Sequence, residues 1–166
     1  MTLRSVQSAF AGRTASPAAT PSGASAVFDA GGLSVLVFED NARDRVLIKK
    51  FLEAAGVRGP NIHHADTIPA ALQVLRREAI DLVLADYYLQ PHTGLDLMDE
   101  TRHSEFDVPF VVMSALDDDA IDRKALAHGA YGFLAKSELT VERLERAIRP
   151  VSVSRSAPRP SMASRL

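Results

Sequence analysis

Four short apolar runs each end in a polar residue that can handle phosphate. VLVFED ends in Glu39 and Asp40, LVLAD in Asp86, FVVMS in Ser114, and YGFLAK in Lys136. Carboxylates can act as nucleophiles or hold a hard cation, while a hydroxyl and an ammonium can meet phosphoryl oxygens. Each run is too short for an ordinary helix and reads as a buried strand followed by a helical pattern. Open α/β sheets place their ligand sites just outside the carboxyl ends of their strands. Three carboxylates, a hydroxyl and an ammonium therefore converge on one edge of one sheet.

Five alternations of strand and helix supply that edge. The strands are expected at Leu33–Phe38, Asn61–Ala65, Leu82–Ala85, Val108–Met113 and Tyr131–Ala135. Their near-continuous apolar character fits burial on both faces. Pro109 falls at the start of the fourth strand, where a missing N–H is tolerated. The first helix begins near Ala42 and carries Val46, Leu47, Phe51 and Leu52 on one stripe, with Gly56 as its stop. The second is capped by Thr67 and presents Ile68, Ala71, Leu72 and Leu75. The third spans Gly94–His103, the fourth Asp117–His128 with Gly129 behind it, and the fifth Thr140–Ile148. Alternation of this kind implies βαβ units in a parallel sheet. Right-handed crossovers then favour a doubly wound, flavodoxin-like α/β fold with strand order 2-1-3-4-5.

Composition narrows the function. The chain has 166 residues, which predicts one domain with a real core, and a near-neutral net charge of −2. It contains no Cys, which excludes disulfides, thiolate metal sites and thiol catalysis. No apolar run approaches the roughly 18 residues of a membrane helix. Nor does the N-terminus have a secretory apolar core, so a cytoplasmic location is expected. Residues 33–148 hold 13 Lys/Arg against 20 Asp/Glu, a net of −7, which argues against nucleic-acid binding by the folded part. Residues 1–32 are rich in Ala, Ser, Gly, Pro and Thr and read as a disordered extension; 150–166 read as a disordered basic tail. The folded domain is thus expected at 33–149.

Taken with their order and spacing, VFEDNARDR, LVLADYYLQPHTGLDL, VVMSA and GAYGFLAK resemble the response-regulator receiver domain of two-component signalling. The resemblance covers residues 33–149, with an acid pair after strand 1 and Asp86 after strand 3. Gly94 lies eight residues beyond Asp86, Ser114-Ala115 follow strand 4, and Lys136 follows strand 5. It implies that Asp86 accepts a phosphoryl group and becomes an acyl phosphate. It implies Mg²⁺ held by Asp40 and Asp86, by Glu39 directly or through water, and by the backbone carbonyl of Tyr88. Lys136 and Ser114 would meet the phosphoryl oxygens, and Ser114 and Phe133 would form the switch pair. Such a protein is a phosphoacceptor that assists its own phosphorylation and dephosphorylation, not a turnover enzyme.

The partners implied are a histidine kinase or phosphotransfer protein, with a downstream protein or a second copy on the face of helix 4, strand 5 and helix 5. No nucleic acid or membrane partner is implied. About 17 residues after Arg149 are too few for an output domain, so a stand-alone receiver is expected, acting as relay shuttle, phosphate sink or phosphorylation-gated binder. A phosphorylation-independent interaction module with the same fold is the alternative. A phosphohydrolase fits less well, because the acid pair and the nucleophile lie on different strands.

Singly, each residue has a plainer reading. Asp86 could cap a turn, Glu39-Asp40 a helix, and Lys136 could be a solvated charge. Asp117-Asp118-Asp119 reads as a helix N-terminus. His63, His64, His92, His103 and His128 show no ligand spacing on a shared helix face. Three departures from the family stand out: Ser137 replaces the usual proline after the lysine, Pro91 is displaced by Gln90, and bulky Tyr88 flanks the nucleophile.

Overall fold

The computed structural model describes residues 30–156 other than Glu105 and Asp117, with side chains through Ser152. Strands β1 (Val35–Phe38), β2 (Ile62–Ala65), β3 (Leu82–Asp86), β4 (Phe110–Ser114) and β5 (Gly132–Ala135) form one parallel sheet in the order β2-β1-β3-β4-β5. The expected doubly wound topology is therefore present. Helices α1 (Ala42–Ala54), α2 (Ile68–Arg77), α3 (Gly94–His103), α4 (Asp119–Ala127) and α5 (Val141–Ser156) connect and cover the strands.

The period-two alternation of the strands divides the core. Val35, Val37, Leu82, Leu84, Val111 and Met113 pack toward Ile48 and Leu52 of α1 and Leu144 and Ile148 of α5. Leu36, Phe38, Val83, Ala85, Phe110 and Val112 pack toward α2, α3 and α4 through Ala71, Leu75, Leu97, Met98, Ile121 and Ala125. Both faces are covered, which is why the strands read as continuous apolar runs. Each fully buried aliphatic side chain contributes about 1.5–3 kcal/mol, so the strand ends sit on a stiff base.

Helix boundaries follow local chemistry. Asn41 caps α1, its Oδ1 accepting from Arg43 N at 2.9 Å. Thr67 caps α2 and Thr93 caps α3. Gly56 and Gly129 take φ of 94° and 92° at the ends of α1 and α4, the left-handed conformation that glycine adopts without steric cost. Asp118 caps α4, accepting from Ala120 N at 2.8 Å, so that helix starts later than expected. Asp117 lies outside the described residues.

The ends of the domain differ from expectation. Ala30, assigned to the disordered extension, is 2% exposed in the core beside Leu33 and Val57, and its carbonyl accepts from Leu33 N at 3.0 Å. Helix α5 runs through Pro150 to Ser156, beyond the expected limit at 149. Proline removes one helical N–H, yet the helix continues because Val151 still packs on the core. Ser152 Oγ also returns a bond to Arg149 O at 2.8 Å. Residues 1–29 and 157–166 of the two extensions lie outside the described residues. β4 begins at Phe110, not Val108, and Pro109 serves as an acceptor for Val83 N at 3.0 Å. Among the described residues, no helix is long and apolar enough to cross a membrane.

Candidate phosphoacceptor site

Asp86 and Ser114 are the last residues of β3 and β4, one residue further into the sheet than their sequences suggest. Ladder hydrogen bonds therefore hold both backbones. Tyr87 N continues the pairing beyond Asp86 by donating to Met113 O at 2.7 Å. The chain then makes a small antiparallel ladder, Tyr88–Leu89 against His92–Thr93, around a cis Gln90–Pro91 bond. It returns so that Gly94 N reaches Tyr87 O at 3.2 Å. A Cβ at Gly94 would stand 2.5 Å from Asp86 O, so glycine is required by close backbone approach.

Lys136, immediately after β5, crosses to the other strand ends. Its Nζ donates to Glu39 Oε2 at 2.6 Å, Asp86 Oδ2 at 2.9 Å and Asp44 Oδ2 at 2.9 Å. Glu39, Asp40 and Asp86 each offer a carboxylate oxygen, and these lie within 4.8 Å of one another. Glu39 is fully buried and Asp86 nearly so, whereas Asp40 is exposed. Arg45 Nη1 ties down the loop by donating to the carbonyls of Glu39 at 3.1 Å and Asp40 at 3.2 Å.

Burial raises the pKa of Asp86 above the ordinary carboxylate value; Lys136 opposes the shift and Asp40 adds to it. Burial likewise raises Glu39, with Lys136 opposing and the Asp86 charge adding. Burial disfavours the Lys136 ammonium, but its bonds to Glu39, Asp44 and Asp86 outweigh that and raise its pKa. The acids carry more negative charge than one lysine neutralises. Such a site attracts a cation.

The donor set suits a hard divalent ion. Glu39 Oε1 accepts from Asn41 N at 3.1 Å and Oε2 from Lys136, so both its oxygens are engaged. Asp40 is exposed, and Asp86 Oδ1 has only a long 3.4 Å contact from Tyr88 N. Asp40 and Asp86 are thus the better placed for direct ligation, with Glu39 one step behind.

Ser114 is fully buried at the end of β4, beside Ala135 of β5, and its Oγ accepts from Leu116 N at 3.1 Å. It lies outside the lysine–carboxylate cluster, with its hydroxyl proton still available to donate. Phe133 on β5 is partly buried against the core on the α4 side. Tyr88 is 42% exposed and stacks edge-on against Tyr87 with ring centres 4.8 Å apart. The histidines stay apart from the cluster: His128 Nε2 instead meets Asp99 Oδ1 at 2.9 Å between α4 and α3. Asp44 is the site residue that the sequence did not single out. Its only signal there was its place one turn after Asp40.

A doubly wound parallel sheet with a buried carboxylate, an acid pair and a lysine gathered at the carboxyl ends of its strands defines a flavodoxin-like α/β domain with its site at that edge. Comparison with known proteins gives the family. Residues 35–149 match the model of the response regulator receiver domain, and the chain belongs to that family. It is similar to the transcriptional regulatory protein MalR of Bacillus subtilis (strain 168), 32% identical over 105 residues. That match spans 63% of this chain and 44% of MalR, so less than half of the relative's length is represented. It is also similar to the two-component response regulator ORR3 of Oryza sativa subsp. indica, 29% identical over 124 residues, covering 73% of this chain and 85% of that one. Among solved structures, the receiver domain of NtrX from Brucella abortus superposes with a TM-score of 0.64 at 26% identity. It covers 73% of this chain and 99% of its own.

Proposed function

We propose that the protein accepts a phosphoryl group on Asp86 from a phosphohistidine of a kinase or phosphotransfer protein. One observation carries the reading: the buried Asp86 carboxylate sits at the end of β3 with Lys136 Nζ 2.9 Å away and the Glu39 and Asp40 oxygens within 4.8 Å. In the transfer, a carboxylate oxygen of Asp86 forms a bond to phosphorus. The phosphorus–nitrogen bond to the donor imidazole breaks, and the electron pair leaves with that nitrogen. Phosphoryl transfer depends mainly on positioning and charge neutralisation. The β3 ladder and Gly94 position Asp86. Lys136 neutralises a phosphoryl oxygen, and the Ser114 hydroxyl donates to another.

Mg²⁺ held by Asp40 and Asp86, with Glu39 behind them and the Tyr88 carbonyl completing the set, would supply the remaining charge neutralisation. The protein would act as acceptor and not as a turnover enzyme, in the manner of a shuttle, a sink or a phosphorylation-gated binder. Incubation with Mg²⁺ and ³²P-labelled acetyl phosphate tests this. Stoichiometric label that is lost in Asp86→Asn is expected. Continuous phosphate release would indicate a hydrolase, and no label at all a binding module that does not use phosphorylation.

A further inference from the structure

The first turn of α1 carries an acid whose position does not match its usual local use. Asp44 stands three residues after the cap Asn41. An acid there ordinarily turns back to accept the N–H of the cap residue, completing a capping box. In α3 the equivalent Asp96 does this, its Oδ2 accepting from Thr93 N at 2.6 Å while Thr93 Oγ1 accepts from Asp96 N at 3.3 Å. In α1 the corresponding donor is already used, because Asn41 N donates to Glu39 Oε1 at 3.1 Å. The Asp44 carboxylate is released from capping and reaches Lys136 Nζ at 2.9 Å.

This saturates the lysine. An ammonium has three N–H donors, and here each has a carboxylate: Glu39, Asp44 and Asp86. A phosphoryl oxygen gains a full bond from Lys136 only if one of them gives way. The side chains of Glu39 and Asp86 are 0% and 9% exposed and that of Asp44 is 37% exposed. The solvated partner is the weakest held and loses least on release.

We infer that Asp44 is a positioning residue that competes with the incoming phosphoryl group for Lys136. It fixes the ammonium in the resting site and releases it when the phosphoryl group arrives. Its charge also repels a dianionic donor. The inference rests on the phosphoacceptor reading above. With acetyl phosphate, an Asp86 oxygen bonds to phosphorus, the phosphorus–oxygen bond to acetate breaks, and acetate leaves with the electron pair. Lys136 exchanges Asp44 Oδ2 for a phosphoryl oxygen, and no proton moves.

The test compares the second-order rate constant for labelling by acetyl phosphate, at saturating Mg²⁺ and fixed ionic strength, in Asp44→Ala, Asp44→Asn, Asp44→Glu and wild type. The Ala and Asn variants should label roughly two- to fivefold faster, the range of one solvated ion pair, and the Glu variant at the wild-type rate. The gain should shrink with added salt and with phosphoramidate, a donor of lower charge. The acyl phosphate should also persist longer in Asp44→Ala. Urea unfolding without metal should keep the wild-type midpoint. A lowered midpoint with unchanged or slower labelling would assign Asp44 to stability alone and overturn the inference. So would equal rates in all four proteins. In both cases the phosphoacceptor reading survives if wild type labels and Asp86→Asn does not. If wild type takes no label, that reading fails and this inference with it.

Discussion

Asp86→Asn should make the metal-free protein more stable, although it removes an ion pair. At an effective dielectric constant of about 20, unit charges 2.9 Å apart attract by about 6 kcal/mol and charges 4.8 Å apart repel by about 3.5 kcal/mol. The Lys136 attraction on Asp86 is therefore offset in large part by repulsion among the Glu39, Asp40 and Asp86 carboxylates. Desolvation of a buried carboxylate adds several kcal/mol against the charged form. Asn still accepts a charge-assisted hydrogen bond from the Lys136 ammonium, on the order of 1.5–3 kcal/mol, and avoids both penalties. Lys136 retains Glu39 and Asp44. The balance favours the variant by about 1–2 kcal/mol, a rise of about 3–10 °C in the unfolding temperature for a domain of this size.

The pH dependence has a definite sign. The folded-state pKa of Asp86 is raised, so its contribution to stability is fully present below the ordinary carboxylate value and lost as pH rises through the raised one. The advantage of Asp86→Asn should therefore be small near the ordinary carboxylate pKa and grow as pH rises above it. Circular dichroism melts in EDTA at several pH values measure it. Mg²⁺ at about 100 times its dissociation constant should stabilise wild type by about 2.7 kcal/mol and the variant by less. A variant that melts below wild type in EDTA at pH 7 would refute the reasoning, because it would show that the lysine attraction exceeds repulsion and burial together.

Three further outcomes are expected. Gly94→Ala should cost about 1–3 kcal/mol in urea unfolding and slow labelling, since its Cβ would meet Asp86 O at 2.5 Å; wild-type stability would remove the close-approach argument. Tyr88→Ala should shorten the lifetime of the acyl phosphate, measured by loss of label after donor removal, because the half-exposed ring shields the attack path of water; an unchanged or longer lifetime counts against it. Phe133→Ala should uncouple partner binding from phosphorylation, read as equal affinity of the two forms by calorimetry. The phenyl ring has only packing with which to report the state, and retained dependence would exclude it as the switch.

Much was legible before folding, and particular residues show why. Thr67 and the stop at Gly56 are local signals whose partners lie within one turn, and the third helix forms at Gly94–His103 as expected. The unbroken apolar runs VLVF and FVVM encode strands buried on both faces, and four such runs ending in Glu39-Asp40, Asp86, Ser114 and Lys136 fix which side chains share an edge. Where a local signal competed with a distant contact, sequence reasoning stopped short. Pro150 reads as a helix end, yet Val151 packs on the far side of it and the helix continues. Ala30 sits in a low-complexity stretch, yet the core closes over it.

Order and spacing along the chain determined the fold class and the placing of Asp86 and the acid pair at one sheet edge, because strand periodicity and capping are properties of neighbours. Only the tertiary structure decided that Lys136 holds three carboxylates and that Asp44, 92 residues away in sequence, is one of them. The physical reason lies in Glu39. Once the sheet buries it beside the α1 cap, its second oxygen takes the N–H that Asp44 would have accepted, and the freed carboxylate turns to the lysine.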